Sequence, residues 1–81
     1  MKKMKVLVEI TQLPNHGYEG LTEKHKGIQL IGYRYPGSTN IWLEENEIER
    51  HNLPVPIKIL YGGFAFVIPG HMTTTILDKS I

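Results

Sequence analysis

Residues 26–43, which read KGIQLIGYRYPGSTNIWL, contain two apolar-rich segments separated by the turn sequence Pro-Gly-Ser-Thr. The isoleucine, tyrosine and tryptophan residues on either side of the turn are typical of a pleated, half-buried surface. Pro36 and Gly37 supply turn geometry that the interior of a strand would not accept. This stretch therefore predicts a central hairpin and places the protein among small β domains.

The remaining strands are predicted outward from this hairpin. Residues 5–11 alternate between apolar and polar side chains, which predicts a half-buried strand before the hairpin. After it, residues 57–61 alternate, residues 64–68 form an apolar run with both faces expected to be buried, and residues 73–77 are rich in β-branched side chains. These patterns predict a sheet of five or six short strands.

Three irregular features complete this interpretation. Residues 18–27 are polar and flanked by glycine, so a long loop is expected. The apolar phase shifts just before Gly32, which predicts a β-bulge there. Residues 44–51 are too short and too acidic for a full helix, so we expect a single helical turn that Ile48 attaches to the core.

The fold class that follows is all-β: one domain over residues 1–81, forming a small, partly open SH3-like barrel with one short helical turn. Residues 71–81 are a possible extension of the last strand. Pairing of this extension within the chain is favoured, and exchange with a neighbouring copy is the alternative.

Composition excludes several classes of protein. There is no cysteine, so neither a disulfide nor a thiolate metal site can form. Nine Lys/Arg against eight Asp/Glu leave no basic excess of the kind that a dedicated duplex-DNA binder carries. No apolar run approaches a membrane span, and the apolar segment after the basic start is interrupted at Glu9. We expect a cytoplasmic protein.

Catalytic and metal chemistry are not expected. The four histidines, His16, His25, His51 and His71, form no local pair of the kind that zinc sites use. Ser38 lies in a turn and Ser80 near the terminus, so no nucleophile with a base beside it is apparent. We therefore predict no catalytic residues, no metal ligands and no cofactor.

Three segments resemble the YorP-like family of small SH3-like proteins from phages and prophages. They are His25-Lys26-Gly27-Ile28, Glu45-Asn46-Glu47-Ile48 and the run Gly62-Gly63-Phe64-Ala65-Phe66-Val67. The resemblance covers about residues 5–67, and the chain departs from it by an insertion at residues 52–61 and a tail after Pro69. It implies the fold and a phage context, and it implies no activity.

The predicted function is a non-enzymatic module that binds a host or host-defence protein. The acidic turn would attract a basic partner, and Trp42 beside it would be the hydrophobic anchor. Either a monomer or a small homo-oligomer is compatible with this function. The predicted contact residues are Tyr18, Lys26, Trp42, Glu44, Glu45 and Glu47, with the loop 18–26.

The alternative is a nucleic-acid-binding barrel, in which aromatic side chains stack on bases beside cations that hold phosphates. The set for that function is Lys24, Lys26, Tyr33, Arg34 and Tyr35. The simpler interpretation turns Tyr33 and Tyr35 inward and leaves Arg34 alone exposed. A structural virion component, recognisable by stable high-order oligomers, is a third class.

Overall fold

The computed structural model describes residues 2–80. Within them the chain forms five strands, which we label β1 to β5, and one helix, α1. Three isolated 3₁₀ turns, Glu23–His25, Tyr61–Gly63 and Gly70–Met72, lie in the connections. In chain order the strands and the helix are β1 (Met4–Ile10), β2 (Gln29–Arg34), β3 (Ile41–Leu43), α1 (Glu45–Arg50), β4 (Phe66–Ile68) and β5 (Thr73–Ser80).

The five strands form one antiparallel sheet in the order β4-β3-β2-β1-β5. From β1 to β4, strands that follow each other in the sequence are also neighbours in the sheet, whereas β5 pairs with the other edge of β1. This pairing curves the sheet around a single core and leaves it open between β4 and β5. The all-β, SH3-like fold class with one short helical turn is confirmed.

The core lies on the inner face of the sheet, where strand alternation places the aliphatic side chains. Val8, Ile10, Leu30, Ile41 and Leu43 are fully buried there. Because successive side chains of a strand point to opposite faces, Leu7, Ile31 and Trp42 belong to the outer face. No helix among residues 2–80 is long and apolar enough to cross a membrane.

The bulge predicted at Gly32 is wrong. The register between β1 and β2 runs without interruption through the Val6–Gly32 pair. The apparent phase shift arises because Ile31 is an exposed apolar residue on the outer face. The sheet instead has an irregularity between β1 and β5, where Leu7 pairs with Leu77 but Val8 pairs with Thr75, so that Ile76 is the extra residue.

The terminal strand lies within the chain: β5 pairs along the whole of β1, from Met4 opposite Ser80 to Ile10 opposite Thr73. The strand predicted at residues 57–61 does not form a regular ladder. Among residues 2–80, two of its amides donate to the return limb, from Lys58 to the Ala65 carbonyl and from Leu60 to the Phe64 carbonyl. The end of the segment closes a turn, in which the Gly63 and Phe64 amides donate to the Leu60 and Tyr61 carbonyls. We call residues 57–61 the arm.

Strand β4 begins at Phe66 and is shorter than the predicted run 64–68. Its middle residue, Val67, is half-buried, so burial on both faces is not complete. The two residues before it, Phe64 and Ala65, are buried but lie outside the regular ladder. The Ala65 amide donates to the Leu43 carbonyl, so this limb continues the edge of the sheet beside β3.

Candidate binding surface

Aromatic side chains gather on the outer face of the sheet. Ring centroids lie 5.9 Å apart for Tyr35 and Trp42, and 5.5 Å apart for Tyr35 and Tyr61, in edge-to-face arrangements. Phe64 lies 5.9 Å from Trp42 and 5.4 Å from Tyr33. Such pairs contribute stability in addition to that expected from the apolar area that they bury. We call this cluster the aromatic face: Tyr33, Tyr35, Trp42, Tyr61 and Phe64.

Strand alternation and one glycine turn build the aromatic face. Tyr33 lies opposite Trp42 in the β2–β3 register, and Tyr35 shares the face of Tyr33. Gly62 has a φ of +69°, a conformation that glycine adopts without steric cost, and this turn brings Phe64 back over the sheet. A Cβ atom at Gly62 would lie 2.7 Å from the Tyr35 hydroxyl oxygen. The sequence showed this turn as a double glycine but did not show where the turn would lead.

Part of the aromatic face forms an open hollow. Tyr35, Ser38, Trp42 and Tyr61 line a space of about 360 Å³, with rings and hydroxyls but no charged group. The indole Nε1 of Trp42 is buried and has no hydrogen-bond partner among residues 2–80. An unsatisfied buried donor of this kind costs stability. The hollow is therefore suited to an uncharged ligand group.

Positive charge borders the aromatic face at its other end. The Lys3 ammonium lies 4.9 Å from the centroid of the Tyr33 ring and 5.1 Å from that of Phe64, which is cation–π geometry. Lys5 lies opposite Tyr33 in the β1–β2 register. Burial and the nearby Glu44 carboxylate raise the pKa of Tyr33, so its hydroxyl stays protonated at neutral pH. The cations next to the aromatic residues come from β1 and from the residue just before it.

The structure separates the residues of the predicted nucleic-acid set. Tyr33 and Tyr35 lie on the outer face, so the inward orientation considered for them is wrong. Arg34 turns the other way and donates hydrogen bonds to Thr75 (2.7 Å) and to Asp78 (3.5 Å) on β5. Neither basic residue of the loop, Lys24 or Lys26, lies at the end of β2 that carries the aromatic face.

Lys24 and Lys26 lie in and just after the 3₁₀ turn that precedes β2. Lys26 precedes Tyr33 by seven positions, and at about 3.3 Å per residue an extended chain of that length covers roughly 23 Å. Lys26 forms an ion pair with Glu23 at 3.0 Å. The two lysines and the two tyrosines therefore lie at opposite ends of β2.

The predicted protein-binding set is also divided. Trp42 is half-buried, and Glu44, two residues further in an extended chain, shares its face and is exposed. Glu45 is exposed in the first turn of α1. Tyr18 lies elsewhere: its ring is 6.0 Å from that of the buried Phe66, and its hydroxyl donates to the Val67 carbonyl. Together with the distant Lys26, Tyr18 lies outside the aromatic face.

The prediction that Glu47 is a solvated contact residue is wrong. Its side chain is buried, with 7% of its surface exposed, because α1 turns it toward β2. Oε2 of its carboxylate accepts a hydrogen bond from the Ile31 amide at 2.9 Å and from Arg50 at 2.7 Å, and the His51 ring nitrogen Nε2 lies 3.0 Å away. Glu47 is thus a structural link between α1 and β2.

This environment makes stability depend on pH. Burial raises the pKa of Glu47, but hydrogen bonds from Arg50, the Ile31 amide and His51 outweigh that effect and hold the pKa below its usual value. A carboxyl whose folded pKa lies below its unfolded value of about 4.3 stabilises the fold above that pH. We expect this contribution to disappear as pH falls through the folded pKa.

Urea denaturation at a series of pH values between neutral and acidic conditions measures this dependence. The Glu47→Gln variant should lose less stability on acidification than the natural protein does, since it lacks the carboxyl. Glu45→Gln, on the exposed side of the same helix, is the control and should lose as much stability on acidification as the natural protein does. Parallel pH curves for the natural protein and Glu47→Gln would contradict the assignment.

Among the residues that the structure describes, the histidines form no metal site, because no group of three ligating side chains occurs there. His25 is buried and its Nδ1 accepts a hydrogen bond from the Thr22 amide at 2.9 Å. Together with Thr22 it forms a capping box on the 3₁₀ turn before β2. His25 thus fixes the end of the long loop, and His51 serves the Glu47 cluster.

The fold and this surface define a class: a small, all-β, SH3-like barrel with an aromatic outer face. Comparison of the chain with family models, curated proteins and solved structures finds no significant match. The resemblance to YorP-like proteins therefore remains a prediction, and function has to be argued from the surface itself.

Proposed function

We propose that this chain is a non-enzymatic binding module that contacts a partner protein through the aromatic face and the adjoining arm. One observation carries the proposal. Ile57, Ile59 and Tyr61 on the arm are 49%, 99% and 72% exposed, and the Tyr61 ring contacts Trp42 and Tyr35. Contiguous exposed apolar side chains of this kind mark interaction surfaces.

The composition of the surface supports a protein partner. Tryptophan and tyrosine are the residue types that dominate binding energy at protein interfaces, especially around a pocket. Glu44 adds negative charge to the rim beside Trp42, which favours a partner with a basic border. The contact set we propose is Tyr35, Trp42, Glu44, Ile59 and Tyr61. The YorP-like resemblance supports a phage-encoded protein with its partner, a host or host-defence factor, in the bacterial cytoplasm.

The test is an affinity pulldown of the tagged protein from a bacterial lysate, with nuclease treatment and mass spectrometry. We expect one protein in stoichiometric amount that survives nuclease. Tyr61→Ala should reduce its recovery by about tenfold or more, the scale of a hot-spot residue. Because Tyr61 is largely exposed, this variant should remain folded, whereas truncation of the half-buried Trp42 would also loosen the aromatic cluster.

Leu77→Ala is the matched control, since it removes an exposed apolar side chain from β5, away from the aromatic face. It should retain the partner. Equal recovery with natural protein and Tyr61→Ala would contradict the proposed surface. Recovery of nucleic acid alone, lost on nuclease treatment, would contradict a protein partner altogether.

A second candidate, binding of single-stranded nucleic acid, is favoured by one observation: Lys3 lies against two rings of the aromatic face. Cations beside exposed aromatic rings are what such proteins use to hold phosphates and stack bases. In this candidate the contacts are Lys3, Lys5, Tyr33 and Tyr35. Binding of a labelled oligothymidine should weaken steeply with salt, and Lys3→Gln should reduce the salt slope. Binding that is absent at low salt rules this candidate out.

A further inference from the structure

The arm runs beside its return limb on one edge and leaves the other edge open, and its last residue, Tyr61, begins the 3₁₀ turn Tyr61–Gly63. The amides of Lys58 and Leu60 both donate to the return limb, to the carbonyls of Ala65 (3.0 Å) and Phe64 (2.8 Å). Donors two residues apart on one side are the pattern of an extended chain. The amides of the alternate residues therefore point to the opposite edge, and those of Ile57, Ile59 and Tyr61 make no backbone hydrogen bond within residues 2–80.

The same alternation groups the side chains of the arm. Ile57, Ile59 and Tyr61 lie on one face, and all three are exposed, Ile59 almost completely. All three are β-branched or aromatic, the residue types that favour strands. Lys58 and Leu60 point the other way, toward Tyr18 and Val67. An open edge with an apolar face is the typical starting point for pairing with another chain.

We propose that the arm pairs with the arm of a second copy of this chain, antiparallel, about a two-fold axis at Ile59. In this register Ile59 lies opposite Ile59 of the second copy, and Ile57 lies opposite Tyr61 of the second copy. The free amides of Ile57, Ile59 and Tyr61 then donate to the second copy. Tyrosine beside isoleucine is a favourable cross-strand pair. The contact is isologous, the commonest arrangement in homodimers.

Charge and register favour this one pairing. Lys58, the only charged residue of the arm, lies opposite Leu60 of the second copy, so no like charges meet. A slip that placed Ile57 opposite Ile59 would set the two Lys58 residues against each other, which is destabilising. A slip by one residue would place the free amides opposite Lys58 and Leu60, whose own amides are directed to the return limb. The net charge of +1 opposes association of two copies only weakly.

The opposite edge of the sheet is less suited to pairing. Strand β5 carries the irregularity at Ile76, and bulges are one of the devices by which natural proteins protect an edge. Pairing at the arm would extend the sheet and place the apolar stripes of both copies on one continuous face. Because Tyr61 also belongs to the aromatic face, the dimer would present two hollows to a partner.

Sedimentation equilibrium of the purified full chain, from low micromolar to millimolar concentration, tests the dimer without any partner. We expect the natural protein to show a concentration-dependent dimer. Ile59→Lys places like charges directly opposite each other and should weaken the dimer by about tenfold or more. Ile76→Lys, on β5, is the control and should dimerise like the natural protein. Circular dichroism confirms that each variant is folded.

A charge-exchange experiment then tests the register. Because Ile59 is paired with itself, Ile59→Lys and Ile59→Glu should each dimerise about tenfold or more weakly than the natural protein, while an equimolar mixture of the two should regain the dimer. A natural protein that stays monomeric at millimolar concentration overturns the proposal, as does a mixture that does not associate. Loss of the dimer in Ile76→Lys alone assigns it to β5 and also overturns it. None of these outcomes bears on the pulldown, so the dimer and the proposed function fail separately.

Discussion

Replacement of Glu47 by glutamine is expected to lower the free energy of unfolding by about 2–3 kcal/mol, a large fraction of the stability of a domain of this size. The carboxylate accepts hydrogen bonds from the Ile31 amide and from Arg50, with the His51 ring nitrogen within reach of the same oxygen. The other carboxylate oxygen, Oε1, accepts from Arg50 Nε at 3.1 Å. A glutamine side chain has one acceptor oxygen and a donor NH₂ group, so either the NH₂ group would face the Arg50 Nε–H or the Ile31 amide would lose its acceptor.

Urea denaturation at neutral pH measures this effect, with Glu45→Gln as the matched substitution. Glu45 precedes Glu47 by two residues in α1, but its side chain is exposed and makes no hydrogen bond within residues 2–80. Glu45→Gln should therefore change the free energy of unfolding by less than about 0.5 kcal/mol. If the two variants were equally stable, Glu47 would not link α1 to β2 as the structure indicates.

Glu47 also shows where prediction from the sequence ends. The prediction that Ile48 attaches the helical turn to the core is confirmed, because it is the one aliphatic side chain among acidic ones and its burial is favourable. Nothing in the local pattern distinguishes Glu47 from the three other glutamates around it. The difference comes from the Ile31 amide, sixteen residues away, which only the β2–α1 packing brings within 2.9 Å. A partner provided by tertiary structure leaves no local signal.

The strands were more predictable than the surface that they carry. The alternation in β1 and the apolar runs of β3 and β4 indicate burial directly, and these elements lie near their expected positions. Alternation also shows that Tyr33 and Tyr35 share a face, but it cannot say which face is the core. The core has room for only one side of β2, and Leu30 with Gly32 occupies it. The tyrosines are therefore left outside, where the Gly62 turn adds two more rings.

Replacement of Gly32 by alanine is expected to destabilise the protein by about 3 kcal/mol, or to lower the melting temperature by roughly 15 °C. An alanine Cβ would lie 2.5 Å from Cγ2 of Ile41, 3.1 Å from the Trp42 carbonyl oxygen and 3.2 Å from Cδ2 of Leu43. Ile41 and Leu43 are fully buried, so neither side chain has free space into which it can move. Relief of the clash would require β2 and β3 to separate.

Gly37→Ala separates this steric effect from the conformational cost of losing a glycine. Gly37 has a φ of +80°, and a Cβ there would meet nothing within 4 Å, so alanine should cost only about 1 kcal/mol. Thermal unfolding of both variants distinguishes the two effects. Equal losses of stability would mean that Gly32 is needed for its backbone conformation and not for close packing. Separation of β2 from β3 also breaks the Tyr33–Trp42 pairing, on which the aromatic face depends. Gly32→Ala should therefore weaken partner binding under conditions in which Gly37→Ala does not.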